Sequence, residues 1–333
     1  MMKKSLFLVF AIIAAIALVG CGNTAEKEET FKVALVINGS KTDGGWSQIA
    51  YDGLLKAEEK LDADISVSEN TKASDFEKVF RTYAKDGNNL IIGHGFEFGD
   101  AAMAVADEFP DVMFVITSST VTNGKNLGSV SNFNLQAGFL QGSLAALMTK
   151  TNVVGSIGGK EIPTIVKSLV GFELGAKYIN PNIKVLSAVT GDGDDANKSK
   201  EQALTFISQG ADVIMANANA AGRGVYVAAE EKGVYAIASI SGEFDVYIKG
   251  LIASTKVDMS TSIFQVAEKV QKGTYKASAE MYGVKEGIVA LVYSPKLESK
   301  IPKDVLDKMD DINDKLKSGE IDVIKLAPEQ YKK

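Results

Sequence analysis

Eight short runs of β-branched and aliphatic residues recur along this chain, and each is followed by a stretch with helical periodicity. The runs are KVALVI (32–37), DISVS (64–68), NLIIG (89–93), VMFVIT (112–117), NVVGSIG (152–158), KVLSAV (184–189), DVIMAN (212–217) and YAIASI (235–240). The clearest helical stretch puts Trp46, Ile49, Ala50, Gly53, Leu54 and Ala57 on one face, the recurrence expected of an amphipathic helix. Further helices are predicted over 74–86, 98–108, 135–149, 163–179, 196–208 and 221–232. Strands that alternate with helices of this length build βαβ units, whose strands lie parallel with both faces covered. Nearly every run ends in Gly, Ser, Asn or Thr. Small polar residues therefore collect at the C-terminal ends of the strands, where open α/β sheets hold their ligands.

The alternation divides near residue 130, with four βα units on each side. Beyond about residue 250 it gives way to a Ser/Thr-rich segment, a helix over 258–272 and a VALVY strand. A charged helix near 303–317 follows, and its Lys/Asp alternation reads as a solvated face. The expected fold class is α/β, with parallel sheets in two Rossmann-like lobes joined by hinge strands. Residues 31–130 with about 252–285 are expected in lobe 1, and 131–251 with about 286–333 in lobe 2. A chain that builds one lobe, builds a second and returns can close a ligand between them.

The N-terminus carries a different signal. Lys3 and Lys4 precede an unbroken apolar stretch from Leu6 to Leu18, and Leu18-Val19-Gly20-Cys21 follows. This is the layout of a secretory signal peptide over residues 1–20. It ends at the chain's single cysteine in the manner of a lipobox, which makes Cys21 the predicted lipidation site. A membrane-spanning anchor fits less well, because a span takes about 20 apolar residues and no stop-transfer charges follow. Residues 21–30 form a polar tether. The expected location is the extracytoplasmic face of the cell membrane, held by lipid.

The formal charge of −6 becomes more negative once Lys3 and Lys4 are removed, which argues against a nucleic-acid partner. With Cys21 lipidated no thiol is left for a disulfide or a metal site. One histidine, His94, does not supply His-rich metal or triad chemistry. A surface hydrolase would need an activated nucleophile or a paired acid and base, and no motif of either kind accompanies the carboxylates. Neither an enzyme nor a cofactor or metal requirement is expected. The chemistry that remains is hydrogen bonding and packing.

The loop Lys41 to Gln48 (KTDGGWSQ) follows the first run and opens the first long helix. Gly44 and Gly45 let a ligand approach the backbone. Asp43 can cap the helix or accept from a ligand N–H, and Trp46 offers a flat apolar face or belongs to the core. Ser47 and Gln48 complete the loop. Asn217 and Asn219 end the run DVIMANAN, and their amides present donors and acceptors together, as the edge of a nucleobase does. AAGRG (220–224) lacks the spacing of a phosphate loop. The acidic run 191–195 lacks the alternating ligands of a calcium loop, so Asp195 reads as a helix cap.

Several segments resemble the basic membrane protein family of ABC-transporter substrate-binding lipoproteins, which includes purine nucleoside receptors. They are DGGWSQIAYDG (43–53), IIGHGFEFGDA (91–101), FNLQAGFLQGSLAALM (133–148), VGSIGGKEIPTI (154–165), GADVIMANANAAGRGV (210–225) and YGVKEGIVAL (282–291). The resemblance implies a type I periplasmic-binding-protein fold, a purine nucleoside or base in the cleft, and an ABC permease as partner. It makes Phe96 a wall of the cleft, while His94 reads as a structural residue satisfied by backbone. Where nucleoside-binding members carry Gly-Val-Asp-x-Asp-Gln, this chain has Ile240 and Gly242 at the acidic positions. Lys256 corresponds to a lysine that follows a Ser pair, with spacing one residue short. A nucleoside, a free base and another small heteroaromatic ligand all stay open, as does an extracytoplasmic ligand sensor on the same fold.

Overall fold

The computed structural model describes residues 30–43, 46–239 and 244–332. Cys21, Gly45 and Gly242 lie outside the described residues, as do the signal peptide and almost all of the tether. The chain opens with β1 (Lys32–Val36), α1 (Trp46–Leu61), β2 (Asp64–Ser68), α2 (Phe76–Lys85), β3 (Leu90–Gly93), α3 (Gly99–Ala106), β4 (Met113–Thr117) and β5 (Leu127–Asn132). It continues with α4 (Asn134–Met148), β6 (Val153–Gly158), α5 (Pro163–Ile179), β7 (Lys184–Val189), α6 (Ala196–Ser208), β8 (Val213–Asn217), α7 (Gly222–Lys232), β9 (Tyr235–Ala238) and β10 (Leu251–Val257). It ends with α8 (Met259–Gln271), β11 (Ala279–Tyr282), β12 (Val289–Tyr293), α9 (Lys303–Ser318) and α10 (Val323–Leu326).

These strands form two six-stranded sheets, ordered β11-β5-β4-β3-β1-β2 and β12-β10-β9-β8-β6-β7. Every pairing is parallel except that of β10 with β12. Side chains alternate across the first sheet as a strand period of two requires. Val33 and Leu35 pack with Ala50, Leu54 and Ile263 on one face. Ala34 and Val36 pack with Phe76, Phe80 and Phe98 on the other. The second sheet does the same, with Val213 and Met215 facing α4 and α5 and Ile214 and Ala216 facing α6 and α7. Both sheets are thus buried on both faces.

The second half has a frame of its own. A Cβ at Gly138 or Gly142 of α4 would run into the backbone of Ser168 or Phe172, and one at Gly171 or Gly175 of α5 into that of Leu135 or Phe139. The two helices therefore meet backbone to backbone, a closeness only glycine allows.

Four elements depart from the sequence reading or refine it. β5 and β11 are short, polar strands (LGSVSN and AEMY), and the pairing of β5 with β4 and of β11 with β5 is what makes them strands. Residues 251–257 pair with β9 and β12 in the second sheet, whereas the sequence pattern has the first lobe resume at about 252. The return to the first half comes at Asp258, where α8 begins and packs against α1. The charged helix α9 is solvated on one face only, because Val305, Met309, Ile312 and Leu316 are buried in the second core. The chain crosses between the halves after β5, after β10 and between β11 and β12.

Candidate functional site

At the C-terminal edge of the first sheet, the loop after β1 is tied to the end of β2 through Glu69. Its carboxylate accepts from the Lys41 backbone N–H at 3.1 Å and from the Ser40 hydroxyl at 3.2 Å. Asp43 then caps α1. Its two carboxylate oxygens accept from the backbone N–H groups of Ser47 (3.1 Å) and Gln48 (3.0 Å), which satisfies two of the orphan donors at a helix start. Ser47 itself is buried with its hydroxyl against Gly39, so it belongs to the packing of the loop.

Trp46 is the first residue of α1 and is 41% exposed, so it stands outside the core stripe with which its spacing is in phase. Its ring lies on that of His94, with centroids 4.1 Å apart and planes 27° apart. His94 follows β3 and is fully buried. Its Nε2 lies 3.0 Å from the Trp46 carbonyl oxygen and its Nδ1 2.9 Å from the Thr117 hydroxyl at the end of β4. The carbonyl can only accept, so Nε2 carries the proton and Nδ1 accepts from Thr117. Burial pushes the imidazole down to about 4, against the pull of the Trp46 carbonyl and of Asp43, so it is neutral at physiological pH.

Phe96 stands 67% exposed, two residues beyond His94. Gly95 before it has φ +136°, a conformation that favours glycine, and Glu97 folds back over it. Glu97 accepts from the Asn38 amide at 2.6 Å, which ties the Phe96 turn to the end of β1. Phe98 packs inward on Phe76, centroids 4.0 Å apart. The first edge therefore offers two exposed aromatic rings on a braced loop.

The second edge is polar. The Asn217 carbonyl at the end of β8 accepts from the Gly159 N–H at 3.0 Å, and the residue is half-buried. Asn219 adopts φ +46°, in the left-handed region that asparagine tolerates, and its amide donates to Asp194 at 3.2 Å. Asp192 is held below the usual carboxylate range by backbone N–H groups of Asp194 and Asp195. Asp195 caps α6 through the N–H groups of Asn197 and Lys198, as its place in the sequence suggested.

Lys256 lies at the end of β10, exposed, with its Nζ 3.7 Å from Asp258. Asp258 also lies 3.8 Å from Lys56 of α1. Burial works to raise its carboxyl, but hydrogen bonds from Ser260 and Thr261 win and hold it down to about 2. Lys256 thus sits at a crossing between the halves, beside an acid that both halves contact. Among the described residues no group of three or more His, Cys, Asp or Glu is placed to hold a metal ion. No helix among them is long and apolar enough to cross a membrane.

The sequence missed the pairing of His94 with Trp46 and of Asn38 with Glu97. Both join residues far apart in the chain, and no local pattern carries them.

Known proteins give an independent comparison. The chain is 30% identical to basic membrane protein A of Borreliella afzelii, with 91% of this chain and 94% of that protein covered. It is 29% identical to the transcriptional activator protein Med of Bacillus subtilis (88% and 92% covered). It is 27% identical to a purine-binding protein of Brucella abortus (93% and 87% covered). Among solved structures, an ABC transporter solute-binding protein from Conexibacter woesei superposes with a TM-score of 0.70 at 25% identity, covering 88% of this chain and 98% of that one. A transcriptional activator of the comK gene from Bacillus halodurans superposes with a TM-score of 0.72 at 26% identity, covering 85% and 96%. The fold is that of the type I periplasmic solute-binding proteins. Residues 30–326 match the family model of the PnrA-like ABC transporter substrate-binding proteins, and the chain belongs to that family, Bmp.

Proposed function

We propose that this chain is the lipid-anchored receptor of an ABC importer and that it binds a purine, as nucleoside or free base, between lobes built on its two sheets. Membership of the family makes it a substrate-binding protein rather than an enzyme, working outside the cytoplasm with a small molecule and a permease as partners. The purine assignment goes further, and one observation carries it. Trp46 lies flat on a buried imidazole with much of its surface open, at the strand ends where such sheets hold ligands. A flat aromatic ligand fits that surface. Phe96 adds a second exposed ring, and the amides of Asn217 and Asn219 suit the polar edge of a base. The relative described as purine-binding supports the same reading.

In this reading the ligand contacts both lobes in the closed form, and those contacts stabilise closure about the three crossings. Lys256, beside one crossing, is placed to meet a polar group of the ligand. Cys21 carries the lipid, with residues 21–30 as the tether. Gly45 and Gly242 belong to the proposed binding set on the sequence alone, Gly242 because it falls where the nucleoside receptors carry an acid.

The test is the identity of the bound molecule. Soluble protein beginning after Cys21 is purified and denatured, the released small molecules are identified by mass spectrometry, and purines are titrated calorimetrically. Release or tight binding of a nucleoside or base is expected. Release of a sugar or amino acid, with no purine able to displace it, contradicts the assignment. The anchor is tested separately: Cys21→Ser abolishes palmitate labelling and detergent partition if Cys21 bears the lipid. A ligand sensor on the same fold is the competing reading, favoured by the two relatives described as transcriptional activators. Permease and ATPase genes beside this one decide for the importer.

A further inference from the structure

We propose that His94 is a positioning residue that holds Trp46 as a preset platform for the ligand ring, an inference that rests on the purine reading above. Trp46 is the first residue of α1. A helical side chain packs back over the preceding turn, and among the described residues no helical turn precedes Trp46. On its own the indole would sample several rotamers in water. His94 supplies the missing surface from another element, with its ring against the indole at 4.1 Å.

The imidazole cannot turn away from this task, because both of its nitrogens are engaged. Nε2–H donates to the carbonyl of Trp46 itself, and Nδ1 accepts from Thr117 on the neighbouring strand. The ring that sets the plane of the indole therefore also ties down the backbone from which the indole projects. Phenylalanine could stack there but could not hold the carbonyl. Full burial keeps the imidazole neutral through the physiological range, so the arrangement of donor and acceptor does not change with ordinary shifts of pH. A platform ordered before the ligand arrives spares the cost of freezing a side chain on binding, which corresponds to roughly a 2- to 12-fold gain in affinity.

The experiment compares the wild type with His94→Ala, Thr117→Val, Trp46→Ala and the double variant His94→Ala/Trp46→Ala. In ligand-free protein, the tryptophan band of the near-ultraviolet circular dichroism and acrylamide quenching of tryptophan emission report on Trp46, since the chain has one tryptophan. His94→Ala is expected to flatten the tryptophan dichroism band and to raise quenching, and Thr117→Val to do both more weakly while keeping the fold. These two readouts need no ligand, so they test the platform even if the purine assignment fails. With adenosine or guanine as titrant, His94→Ala is expected to weaken binding by roughly 2- to 12-fold in the wild-type background. It should have no further effect in the Trp46→Ala background, the signature of two residues acting as one. An unchanged dichroism band and quenching in both variants overturns the proposal. So does a loss of affinity of the same size in both backgrounds. Should His94→Ala fail to fold, Thr117→Val decides by the same two readouts: a weaker band with higher quenching supports the platform, and no change in either overturns it.

Discussion

The two sheets share one strand order and differ only in the direction of the outermost strand next to β5 or β10, yet their C-terminal edges differ in chemistry. The first edge carries Trp46, His94 and Phe96, braced by Asp43, Glu69 and the Asn38–Glu97 pair. The second carries Asn217, Asn219, Asp192 and Asp194, already engaged with one another and with backbone. Their frames differ as well. The first half fills its space with an aromatic cluster of Phe76, Phe80, Phe98 and Phe114, whereas the second brings α4 and α5 together through four glycines. Aromatic surface supplies area that many flat ligands share, while amides and carboxylates discriminate among them because an unmatched polar group is costly to bury. On the reading we propose, a repeated architecture divides the work: the first half would hold a ring, and the second would read its edge.

The frames can be broken first. Gly142→Ala puts a methyl group against the Phe172 backbone, so α4 and α5 must separate. We expect a loss of roughly 3 kcal/mol, the upper end for overpacking, measured by denaturant unfolding. In the first half the contact of α1 with α8 is looser, since a Cβ at Gly53 would stand 2.7 Å from the Ser260 carbonyl oxygen. A Gly142→Ala protein as stable as the wild type would remove this difference between the halves.

The second prediction separates the halves by pH. His94 takes up its proton near 6.5 when unfolded and near 4 when folded. As pH falls, the unfolded chain is protonated first, so the contribution is present in full above about pH 6.5 and is lost on the way to about pH 4. The loss approaches roughly 3 kcal/mol. Asp258 has the same sign lower down: held at about 2, it favours folding above its unfolded value near 3.9 and loses that contribution as pH falls through 2. Stability measured from pH 7 to pH 4.5 should decline in the wild type and much less in His94→Phe. Equal slopes would mean that His94 titrates normally.

Much of this division was legible in the sequence. The runs at 64–68 and 184–189 and the helices at 163–179 and 196–208 are where the patterns placed them, because two-residue and helical periods are local properties. β5, β10 and β11 were missed because their polar residues become a strand only through their neighbours. At the site, the cap at Asp43 was one of the two readings that its place before the helix left open. The place of Trp46 was not legible, because a residue at the very start of a helix can share the phase of the buried stripe and still lie beyond the edge of the sheet. The His94 stack joins residues 48 apart in the chain and leaves no local trace.

Smaller effects sharpen the account of the first edge. Both oxygens of Asp43 are taken by backbone N–H groups, so Asp43→Ala should cost about 1 kcal/mol and Asp43→Asn a few tenths, as caps do. Thermal melts check this. If Asp43→Asn instead keeps its melting temperature and loses affinity tenfold, the carboxylate touches ligand, and the first edge reads polar groups as well as stacking.

The central claim is that a purine ring lies on the open face of Trp46, and the sole tryptophan makes it directly measurable. Adenosine, guanosine and their free bases are titrated into the soluble protein while tryptophan emission is followed, with calorimetry on the same samples and on Trp46→Ala. The account predicts that at least one purine changes the emission saturably, at the affinity seen by calorimetry. It also predicts a 5- to 150-fold weaker affinity in Trp46→Ala, from a stacking contribution of roughly 1–3 kcal/mol. A purine that binds by calorimetry yet leaves the emission and the Trp46→Ala affinity unchanged would contradict it.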